Sequence, residues 1–264
     1  MTGVQPGVEV RGLTTADECH AASALYAEIW GLPVAESPLA GEVLVALAHS
    51  GNYVVGAFTA SDALVGGATA WFGRDDEGRP FLHSHIAGVV PASQGLGVGM
   101  ALKQHQRRWA RERGVAEIRW TFDPLVRRNA WFNLVRLGGV GVRYEEDYYG
   151  GLDDGINAGN ATDRMVVHWV VDQPTERETT PPAGAYPVLD VGRGDAPTII
   201  DPDPPDTDLA VWLPEDIVGM RASHPDLARQ WREAQRAVLA PAFARGYRAT
   251  AVSPDGWLLL TAPD

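Results

Sequence analysis

The stretch Val89-Val90-Pro91-Ala92-Ser93-Gln94-Gly95-Leu96-Gly97-Val98-Gly99 decides the fold. Ahead of it, Phe81 to Val90 has strand composition and is stopped by Pro91. Behind it, from Gly97 to Arg113, Val98, Leu102, His105 and Trp109 fall on one face of a helix, with Lys103, Arg107, Arg108 and Arg111 elsewhere. A strand that passes through a glycine turn straight into a helix binds phosphate. Glycines let N–H groups converge with no Cβ in the way, and the positive end of the helix dipole adds to them. Two common phosphate loops are excluded. The spacing Gly95-x-Gly97-x-Gly99 is not Gly-x-Gly-x-x-Gly, and Gly-Lys-Ser/Thr is absent.

Working outward, Val8 to Leu13 alternates as a strand, and Thr14, Thr15 and Asp17 can cap a helix running to about Trp30. Pro38 to Ala48 has the apolar spacing of a shorter helix, and Tyr53–Thr59 with Ala63–Phe72 reads as an antiparallel hairpin. Downstream come a strand Glu117–Phe122, a short helix Asn129–Leu137 closed by Gly138-Gly139, and strands Val142–Tyr149 and Met165–Val171. The order implies an α+β fold, an α/β mixed sheet, over residues 1–171. Eight of the 19 prolines fall between Pro174 and Pro205, so residues 172–208 read as a linker. Residues 209–264 read as a small α/β C-terminal extension: a strand around Val211-Trp212-Leu213, a helix from Asp226 to about Arg245, and a hairpin from Tyr247 to Leu260. That is little chain for an independent core, so the extension is expected to pack on the first domain or on a partner subunit.

Composition narrows the partners. Apolar residues make up 45% of the 264, with nine tryptophans, enough for a packed interior. A formal charge of -12 opposes a phosphate backbone over most of the surface and argues against nucleic acid. The first residues lack a basic segment followed by an apolar one, and no run of about 18 apolar residues occurs. A cytoplasmic protein without a membrane partner is therefore expected. Cys19, the single cysteine, permits no intrachain disulfide and reads as a small packing residue.

Gln94-x-x-Gly97-x-Gly99, after a strand ending Gly88-Val89-Val90-Pro91, resembles the pyrophosphate signature of the GNAT (Gcn5-related N-acetyltransferase) superfamily. The order of elements from 81 to 149 is similar to the GNAT core, and the resemblance covers roughly residues 8 to 171. His83-Ser84-His85, Thr121-Phe122-Asp123-Pro124, Arg128 to Asn133, Tyr148-Tyr149-Gly150 and Asp163-Arg164 with Trp169 resemble a bacterial subgroup of GNAT proteins with a C-terminal extension. The resemblance implies acetyl-CoA or another acyl-CoA as cofactor. The amides of Gln94, Gly95, Leu96, Gly97, Val98, Gly99 and Met100 would hold the pyrophosphate, and backbone groups of Val89 and Val90 would pair with the pantetheine arm. A β-bulge would splay this strand from the next, and Asn129 and Phe132 would flank the cofactor. Many GNAT enzymes carry a tyrosine acid where this chain has Leu134.

An alkylammonium must lose a proton before its nitrogen attacks a thioester. His83 and His85 alternate on one face of the expected cofactor strand and are the candidate bases; hydrogen-bonded structural histidines are the other reading. They lack a third ligand for a metal, and none is expected. Tyr148, with Tyr144 and Tyr149, is a candidate acid or a strand-packing aromatic. Asp123 could orient a histidine, bind an amine or cap the next helix. Glu145-Glu146-Asp147 and Asp153-Asp154 either give the acceptor pocket negative character or are solvated charge, and Arg229, Arg232 and Arg236 read as a solvated helix face. The expected activity is direct transfer of an acyl group, acetyl foremost, from coenzyme A to a small-molecule amine, with a homodimer as one possible assembly. Decarboxylation of an acyl-CoA, or a non-catalytic acyl-CoA-binding module, are the alternatives.

Overall fold

The computed structural model describes residues 7–150, 161–173, 184–201 and 204–263. They divide into two compact units, one ending at Arg119 and one beginning at Trp120.

In the first unit the chain opens with β1 (Glu9–Gly12) and α1 (Ala16–Trp30). Thr15 accepts from the Glu18 N–H while Glu18 reaches back to the Thr15 N–H, a reciprocal cap that starts α1 where the sequence signals it. Gly31, with φ +66°, ends it. After α2 (Gly41–His49) come β2 (Tyr53–Phe58), β3 (Leu64–Arg74) and β4 (Pro80–Val89), an antiparallel meander with β1 on the edge of β2. The helix α3 (Val98–Glu112) leads to β5 (Glu117–Phe122), whose first residues pair in parallel with β4 at Leu82↔Ile118 and His83↔Arg119. Alternation along β2 gives the sheet two packed faces. Val54 joins Cys19, Ala22, Leu25 and Tyr26 of α1, while Tyr53 turns to α3, donating to the Leu102 carbonyl at 3.2 Å and meeting Trp109 edge-to-face. Two strand glycines bring the helices close. A Cβ on Gly88 would lie 2.9 Å from Ile29 of α1, and one on Gly66 3.1 Å from Val98 of α3.

The second unit starts within β5. It continues through α4 (Arg127–Ala130), which runs on as one π-helical turn over Trp131–Arg136, to β6 (Val140–Glu145) and the antiparallel β7 (Arg164–Val170). Next come β8 (Tyr186–Val191), β9 (Pro197–Ile199) and β10 (Leu209–Trp212). The helices α5 (Ile217–Ser223) and α6 (Pro225–Ala244) precede a closing hairpin of β11 (Arg248–Val252) and β12 (Trp257–Thr261). Their sheet order is β7-β6-β11-β12-β10-β8-β9.

Three expectations change here. The linker over 172–208 is not one: residues 186–191 and 197–199 are paired strands, β8 lying parallel to β10 and antiparallel to β9, and residues 174–183, 202 and 203 lie outside the described residues. Prolines suit the short outer strand β9, where a missing N–H costs no ladder bond. The extension 209–264, expected to pack on a first domain running to 171 or on a partner subunit, instead shares one compact unit with the strands that follow Trp120. β11 pairs with β6 at Ala249↔Gly141, where a side chain on Gly141 would put its Cβ 2.8 Å from that of Ala249, and one compact unit holds both segments. Finally, β6 stops at Glu145, leaving Tyr148 and Tyr149 in a turn rather than on a strand.

Candidate active site

Pro91 to Ser93 form one 3-10 turn after β4; Gly95 and Gly97 follow with φ of +78° and +82°, and Gly97 is the N-cap of α3. Both angles lie in the left-handed region that favours glycine. No described residue accepts a hydrogen bond from the N–H groups of Gly95 to Met100. No Cβ stands in the way at Gly95, where one would meet nothing within 4 Å. The loop therefore presents a cluster of unengaged donors at a helix N-terminus. Its framework is held from beneath, with Val98 buried against the sheet and the Gln94 side-chain amide donating to the Val89 carbonyl at 3.1 Å. The Val90 N–H is already engaged, donating to Val65 at 3.0 Å, so of the two strand residues Val89 is the one whose backbone groups face away from β3.

Within β4 the register slips by one. Ile86 lies opposite Thr69 but Ser84 lies opposite Ala70, so His85 is the extra residue of a β-bulge. The slip changes what neighbouring side chains meet. Ser84 accepts from the Lys103 ammonium of α3 at 2.9 Å, whereas Ile86 packs into the α1 cluster. His83 and His85 share a face, their ring centroids 5.9 Å apart, and both are half-buried against Trp71 at 5.2 and 4.7 Å. Burial, with the charges of His85 and Lys103, lowers the His83 pKa to about 4, and burial lowers that of His85. Both rings are neutral at pH 7 and can accept a proton. Lys103 is fully buried, also donates to Gln106 at 3.1 Å, and has its pKa lowered to about 7 by desolvation.

The remaining candidates lie in the second unit. Asp123 is 8% exposed, and its carboxylate accepts from Arg221 at 2.5 Å, Arg232 at 2.7 Å and the Leu125 N–H at 3.0 Å. Burial alone would raise its pKa; the two arginines override that and hold it well below the usual carboxylate range. It is not the helix cap, since the N-cap of α4 is Val126 and makes no side-chain cap hydrogen bond. These arginines were the signal missed in the sequence. Arg232 is buried and Arg236 grips Asp163 through two hydrogen bonds of 2.9 and 2.6 Å, so of the expected solvated face only Arg229 is exposed. Tyr144 donates to the same Asp163 carboxylate at 2.5 Å and is buried, which raises its pKa. Tyr148 is 43% exposed, stands edge-on to Tyr149, and has its pKa raised by burial and by Tyr149, so the phenol keeps its proton. Asn129 is exposed and Phe132 half-buried, whereas Leu134 is fully buried. Glu145 pairs with Arg143, Glu146 with Arg236 at 3.5 Å, and Asp147 accepts from Thr162, giving each a local partner. Asp153 and Asp154 lie outside the described residues. Among those described, no group of three or more His, Cys, Asp or Glu could hold a metal, and no helix is long and apolar enough to cross a membrane.

No family model matches the chain, and no curated protein matches it. Solved structures do. The ribosomal-protein-S18-alanine N-acetyltransferase from Escherichia coli is 15% identical, with 66% of this chain covering all of that one at a TM-score of 0.49. A candidate acetyltransferase from Salmonella typhimurium, solved with its cofactor acetyl-CoA, is 17% identical over 66% of this chain and 99% of its own, at 0.49. Arabidopsis thaliana Naa50, in complex with a bisubstrate analogue, is 17% identical over 61% of this chain and 97% of its own, at 0.45. Identities this low, with TM-scores below 0.5, leave substrate and chemistry to be argued from this chain's own residues.

Proposed function

We propose that this protein is an acyl-CoA-dependent N-acyltransferase that moves an acyl group, acetyl foremost, from coenzyme A directly to a small-molecule amine. One observation carries the reading: the unengaged N–H groups from Gly95 to Met100 form an anion cradle at the start of α3, directly after a strand bulged at His85. The residues fit a pyrophosphate. Successive backbone donors converge there with the helix dipole, and no acidic residue lies in the first turn to oppose a phosphate. Val89 offers outward backbone groups to an extended arm, while Val90 uses its N–H within the sheet. The roles of Asn129 and Phe132 beside the cofactor rest on the GNAT resemblance.

The cofactor supplies an acyl group activated as a thioester. The amine nitrogen bonds to the acyl carbon and the carbon–sulfur bond breaks. The nitrogen becomes acidic as it bonds, and its proton passes to a neutral imidazole, His83 or His85. A ring held near pKa 4 is a weak base toward a free ammonium, so the chain acts on the amine in its uncharged form. Coenzyme A would leave as a thiolate, which a free thiol pKa of about 8.5 makes tolerable, and a proton donor of this chain would complete its release. Tyr148, protonated at neutral pH, is the candidate acid, since the fully buried Leu134 offers none. Asp123 stays outside proton transfer, because its carboxylate already answers two buried arginines.

Calorimetric titration with acetyl-, malonyl- and free coenzyme A tests the reading, beside Gly97→Glu, which places a carboxylate and an unfavourable φ in the cradle. Micromolar binding lost in the variant supports the site and ranks the acyl groups. Absence of binding to all three overturns it.

A further inference from the structure

Trp71 carries no motif in the sequence, yet the structure makes it the centre of a surface. Antiparallel pairing sets Trp71 opposite His83 and Gly73 opposite Phe81, on one face of β3 and β4. Gly73 is what lets Phe81 lie there, since a Cβ at that position would fall 2.5 Å from the Phe81 ring. His85, two residues along β4, shares that face, and the Trp71, His83 and His85 rings meet at interplanar angles of 35° to 42°. Arg119 lies over Phe81, 4.2 Å from its centroid, held there by Glu117 at 2.5 Å and Asp75 at 3.5 Å. All four rings are half-buried. Among the described residues neither His83 nor His85 has a hydrogen-bond partner, so their ring nitrogens are open to a ligand.

A face with four π systems and two open imidazoles asks two things of an occupant: a flat π surface to stack and an N–H to offer. An aliphatic amine meets only the second. A permanent cation such as a quaternary ammonium can sit on the π faces but has no N–H to offer the imidazoles. We propose that the Trp71–Phe81–His83–His85 face recognises the acceptor, and that the acceptor is a primary amine carried on an aromatic ring system. The proposal rests on the acyl-transfer reading for the fate of the amine, but not for its binding. Stacking on Trp71 places the ring, and the short chain beyond it brings the nitrogen to the imidazoles.

The test is equilibrium binding of 2-phenylethylamine and tryptamine against 2-cyclohexylethylamine and butylamine, measured with the full chain both free and saturated with free coenzyme A. Phenylethylamine is expected to bind about tenfold more tightly than its cyclohexyl counterpart, which matches it in carbon skeleton and lacks only the π system. Trp71→Leu should abolish that ratio with coenzyme A affinity unchanged, and Trp71→Phe should restore part of it; Phe81→Leu should shrink it by a smaller factor. Equal binding of the two amines, or a ratio that persists in Trp71→Leu, overturns the proposal. Loss of coenzyme A binding with the aromatic preference intact instead removes the acyl-transfer reading and leaves the aromatic site standing.

Discussion

In the first unit the N–H groups of Gly95 to Met100 meet no described acceptor, and the imidazoles of His83 and His85 meet no described partner. In the second, Asp123 answers Arg221 and Arg232, and Asp163 answers Arg236, Tyr144 and the Asp147 N–H. Both regions are rich in polar groups; they differ in that the carboxylates of the second unit are already paired, although buried Arg232 leaves its Nε and Nη1 without a hydrogen bond. Unengaged donors and neutral bases at a partly exposed face can act on a ligand. Buried charges closed into pairs hold a fold in one arrangement, because removing either partner strands the other in a poor solvent for charge.

The largest effect that would break this contrast is loss of the histidines. His83→Ala with His85→Ala should lower kcat by about 10²–10⁴, the usual range for a proton acceptor, with coenzyme A affinity unchanged; steady-state kinetics beside calorimetry reads both. A fall in cofactor affinity instead would make the pair structural, like the carboxylates of the second unit. Next, Asp123→Ala should cost about 3–5 kcal/mol in urea unfolding, because two buried arginines lose their counter-ion. A loss under about 1 kcal/mol would mean that the arginines are balanced without it.

Lys103 tests the contrast from inside the first unit, being a buried ammonium that donates there to Ser84 and Gln106. Its pKa falls from 10.5 to about 7 on folding. Between those values the unfolded chain holds a proton that the folded one releases, so stability should rise with pH across that window. Lys103→Met should flatten that slope in thermal melts from pH 6 to 10. For His83, an NMR titration should place the midpoint near 4; a midpoint near 6.5 would mean a solvated ring. The smallest effect is expected at Arg229, whose pair with Asp226 is exposed: Arg229→Ala should change stability by less than about 0.5 kcal/mol, in contrast to its buried neighbour Arg232.

Much of this molecule is legible in local sequence. The reciprocal cap at Thr15 and Glu18, the glycine turn into α3, and the strand periods of β2 to β5 depend on residues close in the chain, and the sequence by itself determined them. The paired histidines were also readable, through their spacing of two. What only the tertiary structure decided involves distant partners. Proline content hid β8 and β9, because a short outer strand tolerates prolines once parallel and antiparallel neighbours exist to pair with it. Arg232 looked like part of a solvated helix face, since helical spacing says which residues share a side but not whether that side meets water or Asp123, 109 positions away. Trp71 was silent for the same reason: its meaning comes from the rings that strand register sets against it, and that register is not written in the residues beside it.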